Sequence, residues 1–246
     1  MMLGARTGAW AKSGGGWTNP YVTDGLVAML DGEWNVGGGK HDSGAKSWIG
    51  LDGHSSAIIQ DGVWGDNYLS VTTGVSNKLG AVPSFDEKTI GPYTWEVVGF
   101  FSGKNFKEFS ANFLTKSNYF NIQYNATGKI FTVGYDAYSY DNIYRWKNPR
   151  HKDIQLGSIF SFSGTYNWIP KTTFVEDDSK TFFNGQAFTK AGNGYGSVLP
   201  DGIMSVLADT NGIEFRVYCI RYYNRALTDA QIAANYAIDK ARFNLP

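Results

Sequence analysis

The chain has 246 residues, with 22 Lys and Arg against 22 Asp and Glu, so no net field draws it toward DNA, RNA or an anionic membrane. Aromatics at 16% and 30 glycines, without long runs of helix formers, favour strands joined by tight turns; the length suits one large all-β domain. Cys219 is the sole cysteine, which excludes an intrachain disulfide and a cysteine-based zinc site.

The first 20 residues stand apart. Gly4, Gly8 and Gly14 to Gly16, with Ser13 and Pro20, make a flexible arm that carries Arg6, Trp10, Lys12 and Trp17. Aromatic and basic groups on such an arm suit docking to a neighbouring subunit. The arm has no apolar stretch of the secretion-signal type, so arrival at an outer surface would need another route. No window of the chain approaches 18 uninterrupted apolar residues, and no membrane span is expected.

From Tyr21 a β pattern begins. Gly25–Leu30 reads as a short apolar strand, and DGEWNVGGGKHDSGAKSW, residues 31–48, as an ordered surface loop built on Gly37 to Gly39 and on Ser and Asp. Asn67–Thr72 alternates again. Tyr93–Phe101 is a stronger strand, with Tyr93, Trp95, Val97 and Phe101 on one face at period two. Further strands are expected at Phe109–Leu114, Tyr119–Tyr124, Lys129–Tyr135, Ser158–Ser163, Thr172–Glu176, Thr181–Phe183 and Ala187–Thr189. Asn184-Gly185 is a two-residue hairpin signal, because both turn positions want positive φ. Asn211-Gly212 marks a turn before the last strand, Ile213–Tyr223, where alternation would set Ile213, Phe215, Val217 and Cys219 against Glu214, Arg216 and Tyr218.

The chain closes on a helix over 229–242. Thr228 and Gln231 have capping-box spacing, and Leu227 and Ile232 fit the accompanying hydrophobic staple. Ile232, Tyr236 and Phe243 fall on one stripe that would lie on the sandwich. Asp239 interrupts that stripe and is expected at its edge, paired with an arginine.

The closing segment FRVYCIRYYNRALTDAQIAANYAIDKARF resembles the last strand and terminal helix of LamG-like jelly-roll domains, in the concanavalin A-like lectin/glucanase superfamily. DGLVAMLD at 24–31, the Trp48 region, YTWEVVGFF and TFFNGQAF are similar to that family's opening strand, central strands and hairpin. The extended DGEWN…HDS…W opening resembles domains of phage and prophage structural proteins. The resemblance implies a two-sheet antiparallel jelly-roll sandwich with a short C-terminal helix. Residues 21–246 would form it, behind a docking arm at 1–20. Its sites would lie on loops or on a concave face, and the family includes sugar binders, protein binders and enzymes, so fold leaves function open.

The enzymatic branch needs two carboxylates about 5 Å apart. As a strand motif this would read E-x-D-x-x-E. Glu176-Asp177-Asp178 is the one E-x-D, and Thr181 stands where the second Glu should be. A non-enzymatic chain is therefore expected, although carboxylates distant in sequence can still meet in space. No G-x-S-x-G turn accompanies His41, His54 or His151. His41-Asp42 and Asp52-Gly53-His54 read as loop residues before they read as a metal or hydrolytic site. Gly192, Gly194 and Gly196 read as turn formers rather than a phosphate loop. Calcium is the one cofactor left open, through Asp177 and Asp178 or Asp209 with Asn211, against the plainer reading of turn-forming Asx residues.

Sugar recognition relies on aromatic faces with a few polar groups. DAYSYDNIYRWKNPRH sets Tyr138, Tyr140, Tyr144, Arg145 and Trp146 in a polar stretch; Trp168 follows, and Trp34 sits in the opening loop. These are the expected carbohydrate contacts, and the same residue types dominate protein–protein hot spots. The sequence thus points to a binding or assembly module on a virion or extracellular surface. Its arm would dock to assembly subunits and its loops would meet surface glycans; the alternative is a purely structural virion protein with no glycan ligand, and a glycoside hydrolase or depolymerase comes third.

Overall fold

A computed structural model of the chain describes residues 19–35, 39–59, 62–73, 79–84, 92–103, 110–116, 120–125, 130–134, 150–151, 158–166, 180–188, 204–207 and 213–246. These hold sixteen strands and one helix. The strands are β1 (Leu26–Asp31), β2 (Ser47–Ile49), β3 (Ser56–Ile59), β4 (Val63–Trp64), β5 (Leu69–Thr73), β6 (Leu79–Ser84), β7 (Tyr93–Gly103) and β8 (Ser110–Lys116). They continue as β9 (Phe120–Asn125), β10 (Ile130–Gly134), β11 (Arg150–His151), β12 (Phe160–Tyr166), β13 (Lys180–Phe183), β14 (Gln186–Phe188), β15 (Met204–Leu207) and β16 (Ile213–Tyr223). The helix α1 spans Asp229–Phe243.

The strands form two antiparallel sheets, the all-β sandwich that the turn-rich, aromatic composition suggests. One runs β14-β13-β12-β7-β16-β5-β4, with β1 also paired to β16; the other runs β11-β10-β9-β8-β15-β6-β3-β2. The hairpin between β13 and β14 turns through Asn184 at φ 48° and Gly185 at φ 72°, the geometry its dipeptide calls for. A Cβ on Gly185 would meet the Tyr236 ring at 2.3 Å, so the turn also seats the helix.

Strand β7 departs from simple alternation. Thr94 to Gly99 are all buried, because both faces of this sheet are covered. Trp95 faces inward and stacks on Phe162, whereas Glu96 and Val98 face outward beneath α1.

Strand β16 carries a β-bulge. Val217 pairs with Gly99, but Cys219 pairs with Val98, so Tyr218 is the extra residue. The slip reverses parity. Glu214 and Arg216 lie on the outer face before it, and Cys219, Arg221 and Tyr223 lie on that same face after it. The expected grouping of Cys219 with Val217 is therefore wrong. Cys219 joins Met29, Val98 and Phe243 in the cluster under the helix. Gly32 stabilises the slip by donating its N–H to the Tyr218 carbonyl at 2.7 Å. It passes so close to the Asn67–Tyr68 backbone, 2.6 Å from a Cβ placed on it, that glycine alone fits.

Helix α1 begins as its sequence dictates, with both halves of the Thr228–Gln231 capping box present. Leu227 and Ile232, the staple pair, share a buried cluster with Phe182 and Tyr223. The helix ends at Phe243, one residue beyond the expected 242, and is capped by Asn244 in the left-handed region at φ 53°. Its fully buried residues are Ile232, Asn235, Asp239 and Phe243, so half of the docking stripe is polar.

Asp239 does pair with an arginine, but at the centre of the stripe rather than at its edge. The Arg221 guanidinium donates to Asp239 at 2.9 and 2.6 Å and to Glu96 at 2.6 Å. Asn235 donates to Glu96 at 2.8 Å and to the Tyr223 hydroxyl at 2.9 Å, and it accepts from the Val22 N–H at 3.0 Å. Tyr21 donates its hydroxyl to Asp239 at 2.8 Å and lies under the guanidinium, 4.1 Å from its ring centroid. Arg242 then links the Tyr21 hydroxyl to Asp31.

Two guanidinium groups face three buried carboxylates here, an excess of one negative charge. Burial pushes the Glu96 carboxyl above its ordinary range, the direction that relieves this excess. Removing Arg221 alone strands Glu96 and Asp239 without a counter-charge. Arg221→Met is expected to lose about 3–5 kcal/mol of unfolding free energy in urea. The triple variant Glu96→Leu, Arg221→Met, Asp239→Leu is expected to recover most of that loss.

Candidate functional site

Of the residues expected to contact ligand, Trp34 is described. Its backbone N–H, like that of Glu33, donates to the Asp31 carboxylate, and its half-buried ring packs against the cluster beneath α1. Tyr138, Tyr140, Tyr144, Arg145, Trp146 and Trp168 lie outside the described residues, as do Arg6, Trp10, Lys12 and Trp17 of the arm. So do Asp177, Asp178, Asp209 and Asn211, the glycines 192, 194 and 196, and the strand expected at 172–176.

The opening loop is less superficial than expected. Asp42 to Gly44 are exposed, but Trp48 is wholly buried in β2. Trp48 and His41 donate Nε1–H and Nε2–H to the Asp31 carbonyl at 2.9 and 2.7 Å. The imidazole lies flat on Trp64, 3.8 Å between centroids at 7°, with Trp48 edge-on to both. These rings bridge β2 at the edge of one sheet and β4 at the edge of the other, so they close an end of the sandwich.

Asp42 and Asp52 each cap a local turn through backbone N–H groups, as Asx residues do. Ser55 also donates its hydroxyl to Asp52. Among the described residues no three His, Cys, Asp or Glu groups come together as a metal site.

Two regions of the outer face of the β7–β16 sheet could be mistaken for each other. The first is the Glu96–Arg221–Asp239 cluster, with Tyr21, Tyr223 and Cys219 beside it. Burial pushes the phenols of Tyr21 and Tyr223 and the Cys219 thiol upward, and such perturbed groups often mark active sites. This cluster is sealed: Glu96, Arg221 and Asp239 are no more than 1% exposed. No substrate reaches them, and their role is to bind the helix.

The second region lies on the other side of the bulge. Register places Arg216 between Ser70 on β5 and Phe100 on β7. Its guanidinium sits 4.8 Å from the Tyr68 ring centroid and 5.1 Å from that of Phe100. Glu214 accepts from Arg216 at 2.7 and 3.0 Å and from the Ser70 hydroxyl at 2.8 Å. Donating these hydrogen bonds to Glu214 raises the Arg216 pKa further. Tyr218, whose hydroxyl is pushed upward by burial, joins Tyr68 at 5.5 Å to the helix through Phe243 at 5.4 Å.

Tyr68, Phe100, Arg216 and Glu214 are all partly exposed. Together they make a fixed platform of aromatic surface and paired polar groups. Sequence reading placed Glu214 and Arg216 on one face but did not single them out. The available signal was parity: charges at 214, 216 and 221 cannot share one face of an unbulged strand.

No protein-family model and no curated protein matches the chain by sequence. By shape it is a jelly-roll sandwich similar to solved structures of low sequence identity. Trypanosoma rangeli sialidase in complex with sialic acid aligns over 89% of this chain at TM-score 0.62 and 14% identity. The binding domain of botulinum neurotoxin DC in complex with rat synaptotagmin II aligns over 87% at 0.60 and 7% identity. The botulinum neurotoxin type G receptor-binding domain aligns over 88% at 0.58 and 10% identity.

The chain spans 34% of the length of that sialidase chain and about half of each toxin domain, 51% and 52%. The likeness establishes the fold. It also corrects the expectation of a non-enzymatic chain, because proteins that share this fold include sialidases, which are enzymes.

His41 offers a test of the loop geometry. Burial lowers its pKa below the ordinary value of about 6.5, against the opposing pull of the Asp31 carbonyl. The unfolded chain therefore takes up the proton first, so stability is full above about pH 6.5 and falls as the pH drops through that value. In urea titrations between about pH 7.5 and 5.5, His41→Gln is expected to flatten this slope. An unchanged slope would mean that the stacked imidazole is not the titrating group.

Proposed function

We propose that this chain is a carbohydrate-recognition domain of the LamG-like kind, contacting glycan with the open half of its outer face. The observation that carries the reading is the platform of Tyr68, Phe100, Arg216 and Glu214. Aromatic surface and paired polar groups are held there by a sheet, so little ordering entropy is lost on binding. Trp34 packs against the same underlying cluster. Support also comes from neighbours of like fold, one seen with sialic acid and another a toxin receptor-binding domain.

A protein ligand is the second reading. Tyr, Trp and Arg dominate protein hot spots as well, and one neighbour was solved bound to synaptotagmin II. Display on a phage-type particle, with residues 1–20 docking to other virion subunits, belongs to the proposal as its assembly half.

On a glycan array the folded domain is expected to give hits. Tyr68→Ala and Phe100→Ala should each weaken them by about tenfold, the loss expected when a contact aromatic is truncated. No hit, with capture of a protein partner instead, would favour the second reading. New reducing ends after incubation with polysaccharide would identify a glycosidase. Removal of residues 1–20 is expected to abolish incorporation into particles, and normal incorporation would sink the assembly half.

A further inference from the structure

The platform's charge balance says more about its ligand than its aromatic content does. We infer that the site takes a neutral, hydroxyl-rich sugar rather than one bearing a carboxylate or sulfate. The inference rests on the carbohydrate reading above. Arg216 taken alone looks like an anion receptor, because a guanidinium fork matches a carboxylate. Here that fork is already engaged by the Glu214 carboxylate through Nε and Nη2.

An acidic sugar approaching Arg216 would meet Glu214 within a few ångströms. It would gain an attraction to Arg216 and suffer a repulsion from Glu214. A neutral sugar faces no such conflict. Its hydroxyls both donate and accept, which suits a surface that sets a guanidinium beside a carboxylate and a serine hydroxyl. Both charged groups remain reachable, with the Arg216 side chain 31% exposed and that of Glu214 23%. The C–H face of a pyranose would then lie against the free parts of Tyr68 and Phe100.

The same balance dictates how binding responds to salt. A neutral ligand on a net-neutral pair leaves no long-range term to screen, so affinity should be nearly constant between about 0.05 and 0.5 M salt. Glu214→Gln keeps the shape of the pair and removes the repulsion.

The experiment compares neutral hexose oligomers with sialylated or uronate-bearing ones on the full chain, for wild type, Glu214→Gln and Phe100→Ala. The fold of each variant is checked by circular dichroism. Wild type is expected to bind neutral oligomers independently of salt, and Phe100→Ala to weaken that binding. Glu214→Gln should gain about tenfold for acidic ones, in a salt-dependent way. Preferential, salt-sensitive binding of acidic sugars by wild type would overturn this inference and leave the carbohydrate reading standing. Neutral binding indifferent to Phe100→Ala would also overturn it, by moving the site elsewhere. Absence of any sugar binding by a folded wild type would remove the carbohydrate reading and this inference together.

Discussion

A guanidinium group taken out of water must be met on every side, and Arg221 is met by Glu96 from the sheet and Asp239 from the helix. Neither carboxylate is tolerable there without it. Sheet and helix therefore cannot shift relative to each other without stranding a buried charge. The network reaches further through Tyr21 and Asn235, which hold the entry of the chain against α1, and through Arg242 and Asp31, which hold the end of β1. Asp31 in turn fixes the backbone of Glu33 and Trp34 and receives the rings of His41 and Trp48 on its carbonyl. Segments more than 200 residues apart in sequence are thus positioned by one chain of charged and hydrogen-bonded groups. Ile232 and Phe243 add apolar packing beside the ionic network.

The bulge at Tyr218 divides the outer face. Without it, Arg221 would point to the interior between the sheets, and Cys219 would follow Val217 inward. With it, one strand supplies two arginines to one face for opposite purposes. Arg221 is sealed beneath the helix and serves the fold. Arg216, five residues earlier, stays accessible between Tyr68 and Phe100 and is the contact group of the proposed function. Perturbed ionisation alone would have directed attention to the wrong half, because the most strongly shifted groups are those that no ligand reaches. Exposure decides between them.

The parts legible in the sequence are those governed by near neighbours. The capping box, the Asn184-Gly185 turn, and strands such as Tyr93–Phe101 and Ile213–Tyr223 follow from residues a few positions apart. Asp239 was legible as an arginine partner but not as a buried one, since its second anchor, Tyr21, comes from the far end of the chain. Trp48 and His41 read as loop residues because their partners, Asp31 and Trp64, meet them only after the two sheets close. The bulge left a trace in the spacing of Glu214, Arg216 and Arg221, but period-two alternation assumes that no residue is extra. The platform was missed for a related reason: Phe100 and Arg216 lie on two strands and adjoin only through register, and Tyr68 meets them from the residue before β5.

The outer face divides between a sealed arginine and an open one, and proton exchange at the two guanidinium groups measures that contrast directly. In ¹⁵N-resolved NMR of the folded protein, the Arg221 side-chain N–H protons should exchange with water only through global unfolding. Those of Arg216 should exchange freely and shift when a neutral oligosaccharide is added. Arg221 protons that exchange as fast as those of Arg216 would contradict the sealed network, and with it the division of the outer face on which the functional reading depends.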